Sequence, residues 1–98
     1  MNGKINVSTE NYGGFRVHNW NLLVSHENGQ TQNFFLGQDV KFCSRVLGMS
    51  PKYIVEQIGD NDFSNEETLE KLGNFIIDQL ELTEEKVFGL ESWELCCQ

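Results

Sequence analysis

The sequence predicts an α+β fold, with an antiparallel sheet of three to four strands packed against about three helices. Two observations carry that expectation. Residues 1–37 alternate polar and apolar side chains between glycine-containing turn signals, which is the period of strands. Residues 38–82 instead repeat apolar side chains at steps of three and four between capping residues, which is the period of helices. The 98-residue chain is 39% apolar, enough for one hydrophobic core, and reads as a single domain over 1–98.

Lys4-Ile5-Asn6-Val7-Ser8 alternates strictly and predicts the first short strand. Asn11-Tyr12-Gly13-Gly14 ends it as a turn. Apolar residues then fall at 15 and 17 but resume at 20, 22 and 24. That slip of phase at Asn19 predicts a bulge, or a break between two short strands. Asn28-Gly29 predicts a hairpin with a two-residue type I′ loop, because both central residues of that turn need positive φ. In that register Leu22 faces Phe35 and Leu23 faces Phe34. Leu22 then shares a face with Trp20 and Val24, while Leu23 and Phe34 load the other face with apolar side chains. A domain this small has little material to bury both. The second face is therefore expected to be covered by a neighbouring element or offered to a partner.

Asp39 is placed to cap a first helix, in which Val40, Phe42, Cys43, Val46, Leu47 and Met49 form a broad apolar face and which Gly48 ends. Ser50-Pro51 starts a second, with Ser as N-cap and Pro at the first helical position, running to Gly59. Ser64-Asn65-Glu66-Glu67 reads as a capping box, with Ser64 as cap. It opens a third helix from about 65 to 81 on Leu69, Leu72, Ile76 and Leu80. Residues 84–90 fit a helix or a loop. Trp93-Glu94-Leu95-Cys96-Cys97 alternates and predicts a C-terminal strand within 90–98.

Charge is divided unevenly. Residues 1–49 hold four Lys/Arg and three Asp/Glu, whereas residues 50–98 hold three Lys and twelve Asp/Glu, for a net charge of −8. Such asymmetry concerns partners and association rates rather than fold. It favours a basic partner surface and disfavours a bare nucleic-acid ligand. No apolar run is long enough to span a membrane, and no leader-like stretch follows Met1. The cysteines are odd in number and Cys96 and Cys97 are adjacent, a poor disulfide geometry, so a reduced, cytoplasmic protein is expected.

Residues Val40 to Ile58 resemble a helix-turn-helix over about twenty residues. Ser44 sits where that motif takes a small residue, Gly48 where it turns, and Leu47, Met49 and Ile54 where it packs. Gln57, with Ile58 one place late, departs from its apolar pattern. The resemblance implies that Ser50, Lys52, Tyr53 and Gln57 meet a DNA groove and that Lys41 and Arg45 join Lys52 at phosphates. Against it, a reader that neutralises six or more phosphates finds few cations here. An αα-corner that only packs on the sheet explains the same residues.

The third helix carries an acidic stripe. Glu67, Glu70, Asp78 and Glu81 fall on one face at steps of three and four, Glu66 extends it, and Asn74 lies between. At about 1.5 Å rise per residue the stripe covers about 21 Å, over which one DNA strand would place about six phosphates. The carboxylates are sparser than that, and Lys71 neutralises part of them. The stripe therefore suits either a solvated helix face or a surface that blocks a basic cleft.

Asp60, Asp62 and Ser64 match the first slots of a calcium loop, but Asn65 and Lys71 stand where its Gly and final Glu belong. The cysteines and His18 and His26 lack metal-ligand spacing. No Gly-x-Ser-x-Gly, phosphate loop or dinucleotide fingerprint occurs. A non-enzyme without cofactor is expected.

The expected function is that of a small acidic interaction module, an inhibitor or regulator on a basic surface of a larger nucleic-acid-handling protein. Its parts would be Glu66, Glu67, Glu70, Asp78 and Glu81 as the charged face and Leu23, Phe34 and Trp93 as apolar anchors. In size and charge alone the chain resembles inhibitors that phages and plasmids direct at host restriction and CRISPR nucleases. The alternatives are the helix-turn-helix regulator and a homodimer, or other structural subunit, that assembles through the second sheet face.

Overall fold

The computed structural model describes residues 1–37, 40–91 and 94–95, with residues 40–43 described by their backbone alone. Its elements run β1 (Asn2–Tyr12), β2 (Phe15–Ser25), β3 (Thr31–Phe35), α1 (Val40–Leu47), α2 (Pro51–Ile58), α3 (Glu66–Gln79) and α4 (Glu84–Phe88). The strands form one antiparallel sheet in the order β1-β2-β3. The α+β expectation holds, with three strands and four helices among the described residues.

β1 and β2 pair without interruption from Asn2 opposite Ser25 to Tyr12 opposite Phe15. The bulge or break predicted at Asn19 is therefore corrected. Gly13 and Gly14 close the ribbon with φ of +55° and +89°, as a two-residue type I′ loop requires. The apolar phase slips for a different reason. The outer half of this ribbon has no core to face, and Phe15 is 76% exposed. Residues there are free of the alternation that burial imposes nearer the body.

The second hairpin is also corrected. Leu22 faces Phe34 and Asn21 faces Phe35, one residue away from the predicted register. The loop is Glu27-Asn28-Gly29: the Gly29 N–H donates to the His26 carbonyl at 3.0 Å and the His26 N–H to the Gln30 carbonyl at 2.9 Å. Gly29 alone of the three takes positive φ, +88°, which is a type I turn closed by a glycine bulge. A one-residue slip transfers every side chain of a strand to the opposite face. Here it turns Phe34 and Leu36 inward where the predicted register would bury Phe35 alone, and burying one further side chain of this kind contributes about 1.5–3 kcal/mol. That gain, absent from local turn preference, decides the register.

One sheet face carries the core. Ile5, Leu22, Val24 and Phe34, with Leu36 beyond β3, are buried against Ile54 of α2, Leu69, Leu72 and Ile76 of α3, and Val87 of α4. α3 lies directly on β1. A Cβ added at Gly73 would come within 2.3 Å of the Lys4 nitrogen, and one at Gly3 within 2.7 Å of the Gly73 carbonyl oxygen. Only two glycines permit that approach, and the Gly3 N–H then donates to Asn74 Oδ1 at 2.9 Å.

The helix ends follow local chemistry. Ser50 caps α2 by accepting the Tyr53 N–H at 3.2 Å, Pro51 opens the helix, and Gly59 ends it at φ +77°. The cap of α3 is Asn65 rather than Ser64: Asn65 Oδ1 accepts the Glu67 N–H at 2.8 Å, while the Ser64 hydroxyl donates to Asp62. Residues 84–88 are helical, capped by Thr83. Of the predicted C-terminal strand, Glu94 and Leu95 form a turn, with the Glu94 N–H donating to the Glu91 carbonyl at 3.1 Å, and Leu95 is fully buried. Trp93, Cys96 and Cys97, like the predicted cap Asp39, lie outside the described residues. Among the described residues no helix is long and apolar enough to cross a membrane.

Candidate interaction surface

α3 turns Leu69, Leu72 and Ile76 into the core and seats Gly73 and Ile77 on β1, which leaves the rest of its circumference, beginning beside β1, to solvent. At about 100° per residue, Glu66, Glu67, Glu70 and Asp78 fall within about 120° of the helix circumference. All four are exposed, as is Glu81 two residues past the helix end. Glu66 and Glu67 also favour the helix itself, because carboxylates in a first turn offset its positive end. Asn74 lies in the same arc but is engaged, accepting from Gly3 and donating to the Glu70 carbonyl at 3.1 Å. Three lysines border the acids: Lys71, exposed on the rim of the arc, Lys4, whose Nζ is 3.6 Å from Glu66, and Lys86, whose Nζ donates to the Glu81 carbonyl at 3.4 Å.

The loop before α3 spends its oxygens internally. Asp60 accepts the Asp62 N–H at 3.1 Å and the Thr68 hydroxyl at 2.8 Å, and these bonds hold its carboxyl below the ordinary value of 3.8. Asp62 accepts the Ser64 N–H at 3.2 Å. The calcium-loop likeness is thus a capping loop, and among the described residues no group of three or more His, Cys, Asp or Glu is placed to hold a metal ion.

The predicted anchors separate. Leu23 is half-buried on the sheet face away from the core. Phe34 is 1% exposed within the core and offers no surface, a consequence of the corrected register. Trp93 is outside the described residues. On the alternative DNA-facing side, Arg45, Lys52, Tyr53 and Gln57 are exposed. Ser50 is committed to its capping bond, and the Lys41 side chain is outside the described residues.

Three features escape the sequence patterns. The first is the outer end of the β1–β2 ribbon, where Tyr12 (61% exposed) and Phe15 (76%) sit opposite each other. The Tyr12 hydroxyl donates to the Glu10 carboxylate, and that bond and the adjacent negative charge raise its pKa above 10.0. Strict pairing around Gly13-Gly14 was the available signal. The second is His26, buried between hairpin and α4. Its Nε2 lies 2.6 Å from Gln32 Oε1 and its ring stacks on Phe88 with centroids 4.4 Å apart. Its Nδ1 is 3.7 Å from Glu84 Oε1 and has no hydrogen-bond partner among the described residues.

The third is a groove of about 410 Å³ between β1 and the start of α3, lined by Lys4, Ile5, Val7, Phe63, Glu66 and Leu69 among others. The Phe63 ring, edge-on to Trp20 with centroids 5.7 Å apart, forms part of its wall. Chemically, this side of the molecule combines a carboxylate-rich helix face with a cleft of mixed polar and apolar lining at its N-terminal end. No family model, curated protein or solved structure matches the chain.

Proposed function

We propose that the chain is a small acidic interaction module that occupies a basic surface of a larger nucleic-acid-handling protein, as an inhibitor or regulator. By analogy of size and charge, an inhibitor of a restriction or CRISPR nuclease is the kind of protein meant. The observation that carries the reading is the solvent side of α3, where Glu66, Glu67, Glu70 and Asp78 are exposed within one arc and Glu81 follows. Their effect is mainly on encounter. An exposed ion pair contributes about 0–1 kcal/mol, so four or five such contacts add little affinity by themselves. Clustered charge of one sign instead raises association rates and rejects anionic competitors, over a screening distance of about 8–10 Å.

The test is co-purification with the tagged chain from its host, compared with the variant Glu67→Lys/Glu70→Lys/Asp78→Lys. The reading expects a nucleic-acid-handling protein that salt strips from the native chain and that the variant fails to retain. Equal retention by the variant would contradict it. The helix-turn-helix alternative predicts instead that the purified chain binds duplex DNA at low salt and loses it on Lys41→Glu/Arg45→Glu/Lys52→Glu. The homodimer alternative predicts self-association on sedimentation, abolished by Leu23→Asp.

A further inference from the structure

We propose that the groove beside β1 takes an extended segment of the cationic partner, one alternating apolar with Lys or Arg residues, as an added strand on the free edge of the sheet. The inference rests on the reading above and names how that partner is held.

β1 is an edge strand. The direction of its backbone groups follows from bonds on the far side of β2. The Trp20 N–H donates to the Gly37 carbonyl at 2.8 Å, and the Trp20 carbonyl accepts the Leu36 N–H at 2.8 Å. Trp20 therefore turns its backbone away from β1, and Val7, its opposite residue, turns its own away from β2. Alternation sets Gly3, Ile5, Thr9 and Asn11 in the same outward direction. The Gly3 N–H agrees, since it leaves the sheet to reach Asn74. Past Gly3, the outward backbone groups of Ile5 and Val7 have no hydrogen-bond partner among the described residues.

Edges of this kind are usually blunted by proline, a bulge or a short strand. β1 is eleven residues long, and its pairing with β2 is unbroken. Residues of both sheet faces, Lys4 and Asn6 with Ile5 and Val7, line the groove, so it runs along the edge rather than over one face. Four residues at about 3.4 Å each give about 14 Å of edge to pair with. One side of an added strand would lie on Val7, Phe63 and Leu69, which asks for apolar side chains. The other side would lie by Glu66, which already draws in Lys4, with Glu67 and Glu70 on the same helix. That side asks for cations. Backbone pairing supplies affinity and the alternate side chains supply selection, as in other strand additions.

The test titrates the full chain with a short peptide alternating Lys and Val, followed by amide NMR and hydrogen exchange. Two further peptides carry Glu in place of Lys, or N-methyl groups on alternate amides. Salt-sensitive binding that protects the Ile5 and Val7 amides is expected. N-methylation should weaken it by about tenfold or more through lost backbone bonds. Glu66→Lys should weaken it too, as should Val7→Pro, whose missing N–H is one the β1–β2 ladder does not use. Binding that ignores N-methylation, or that perturbs only the solvent side of α3, overturns the strand addition while leaving the acidic-face reading intact. Equal binding of the Glu peptide, or no binding of the Lys peptide at low salt, overturns both. Protection of Ile5 and Val7 in the free chain, rising with its concentration, assigns the edge to a second copy and overturns the proposal.

Discussion

Replacing Gly73 with Ala tests how α3 is seated, and two physical effects oppose each other there. By helix propensity alone the change should stabilise, since Ala exceeds Gly by about 1 kcal/mol in a helix interior. The structure predicts the reverse. The new Cβ would stand 2.3 Å from the Lys4 nitrogen, 2.4 Å from the Gly3 carbonyl carbon and 2.5 Å from Lys4 Cα. Ordinary contacts lie near 3.5–4.0 Å, so β1 must withdraw by about 1 Å or more, and backbone yields less readily than a side chain. Overpacking of this kind costs about 1–3 kcal/mol. The Gly3–Asn74 bond, worth about 1 kcal/mol, is pulled apart with it. The net expectation is a loss of about 1–3 kcal/mol. At about 4–8 °C per kcal/mol for a chain of this size, that lowers Tm by about 5–20 °C. Thermal and urea unfolding measure it, with the exposed Glu70→Ala as a control expected within about 0.5 kcal/mol of the parent. A Gly73→Ala chain as stable as the parent, or more so, would refute the close seating of α3 on β1.

Three further outcomes follow from the same geometry. Asn65→Ala should cost about 1 kcal/mol by urea unfolding through loss of the α3 cap, and more than Ser64→Ala, whose hydroxyl does not cap. Asp60, held below 3.8 mainly by the Asp62 N–H and then by Thr68, stabilises the fold above its unfolded pKa and ceases to do so as pH falls through its lower folded value. The stability gap between the parent and Asp60→Asn should therefore be full at neutral pH and close below about pH 4 in acid-range unfolding; a gap independent of pH would contradict the assignment. Tyr12 should ionise above 10.0 in a phenolate absorbance titration referenced to Tyr12→Phe, and Glu10→Gln should bring it back towards that value.

What was legible in the sequence was local. Ser50-Pro51 and Gly59 bound α2 because a cap needs only its neighbours, and the acidic arc of α3 is a matter of spacing on one helix. Two errors came from local rules with two solutions. Asn28-Gly29 fits a tight type I′ loop, but burial of Leu36 together with Phe34 selects the longer one. Ser64 and Asn65 can both cap, and Asp62 takes the serine hydroxyl. Other features belong to the tertiary arrangement and left no local trace. Gly73 looks like a defect in a helix until Gly3, distant in sequence, lies against it. The groove at Ile5 and Val7 exists only because α3 and Phe63 stand beside an edge whose free side no pattern of alternation reveals.

The account is tested most directly by the association rate of the chain with the protein it captures, measured across ionic strength for the parent and for Glu67→Lys/Glu70→Lys/Asp78→Lys. If the α3 carboxylates bring the chain to a cationic surface, the parent's rate falls steeply as salt rises, by about tenfold or more, while the variant starts low and stays nearly flat. Parallel salt dependences for the two chains would show that the acidic face takes no part in recognition.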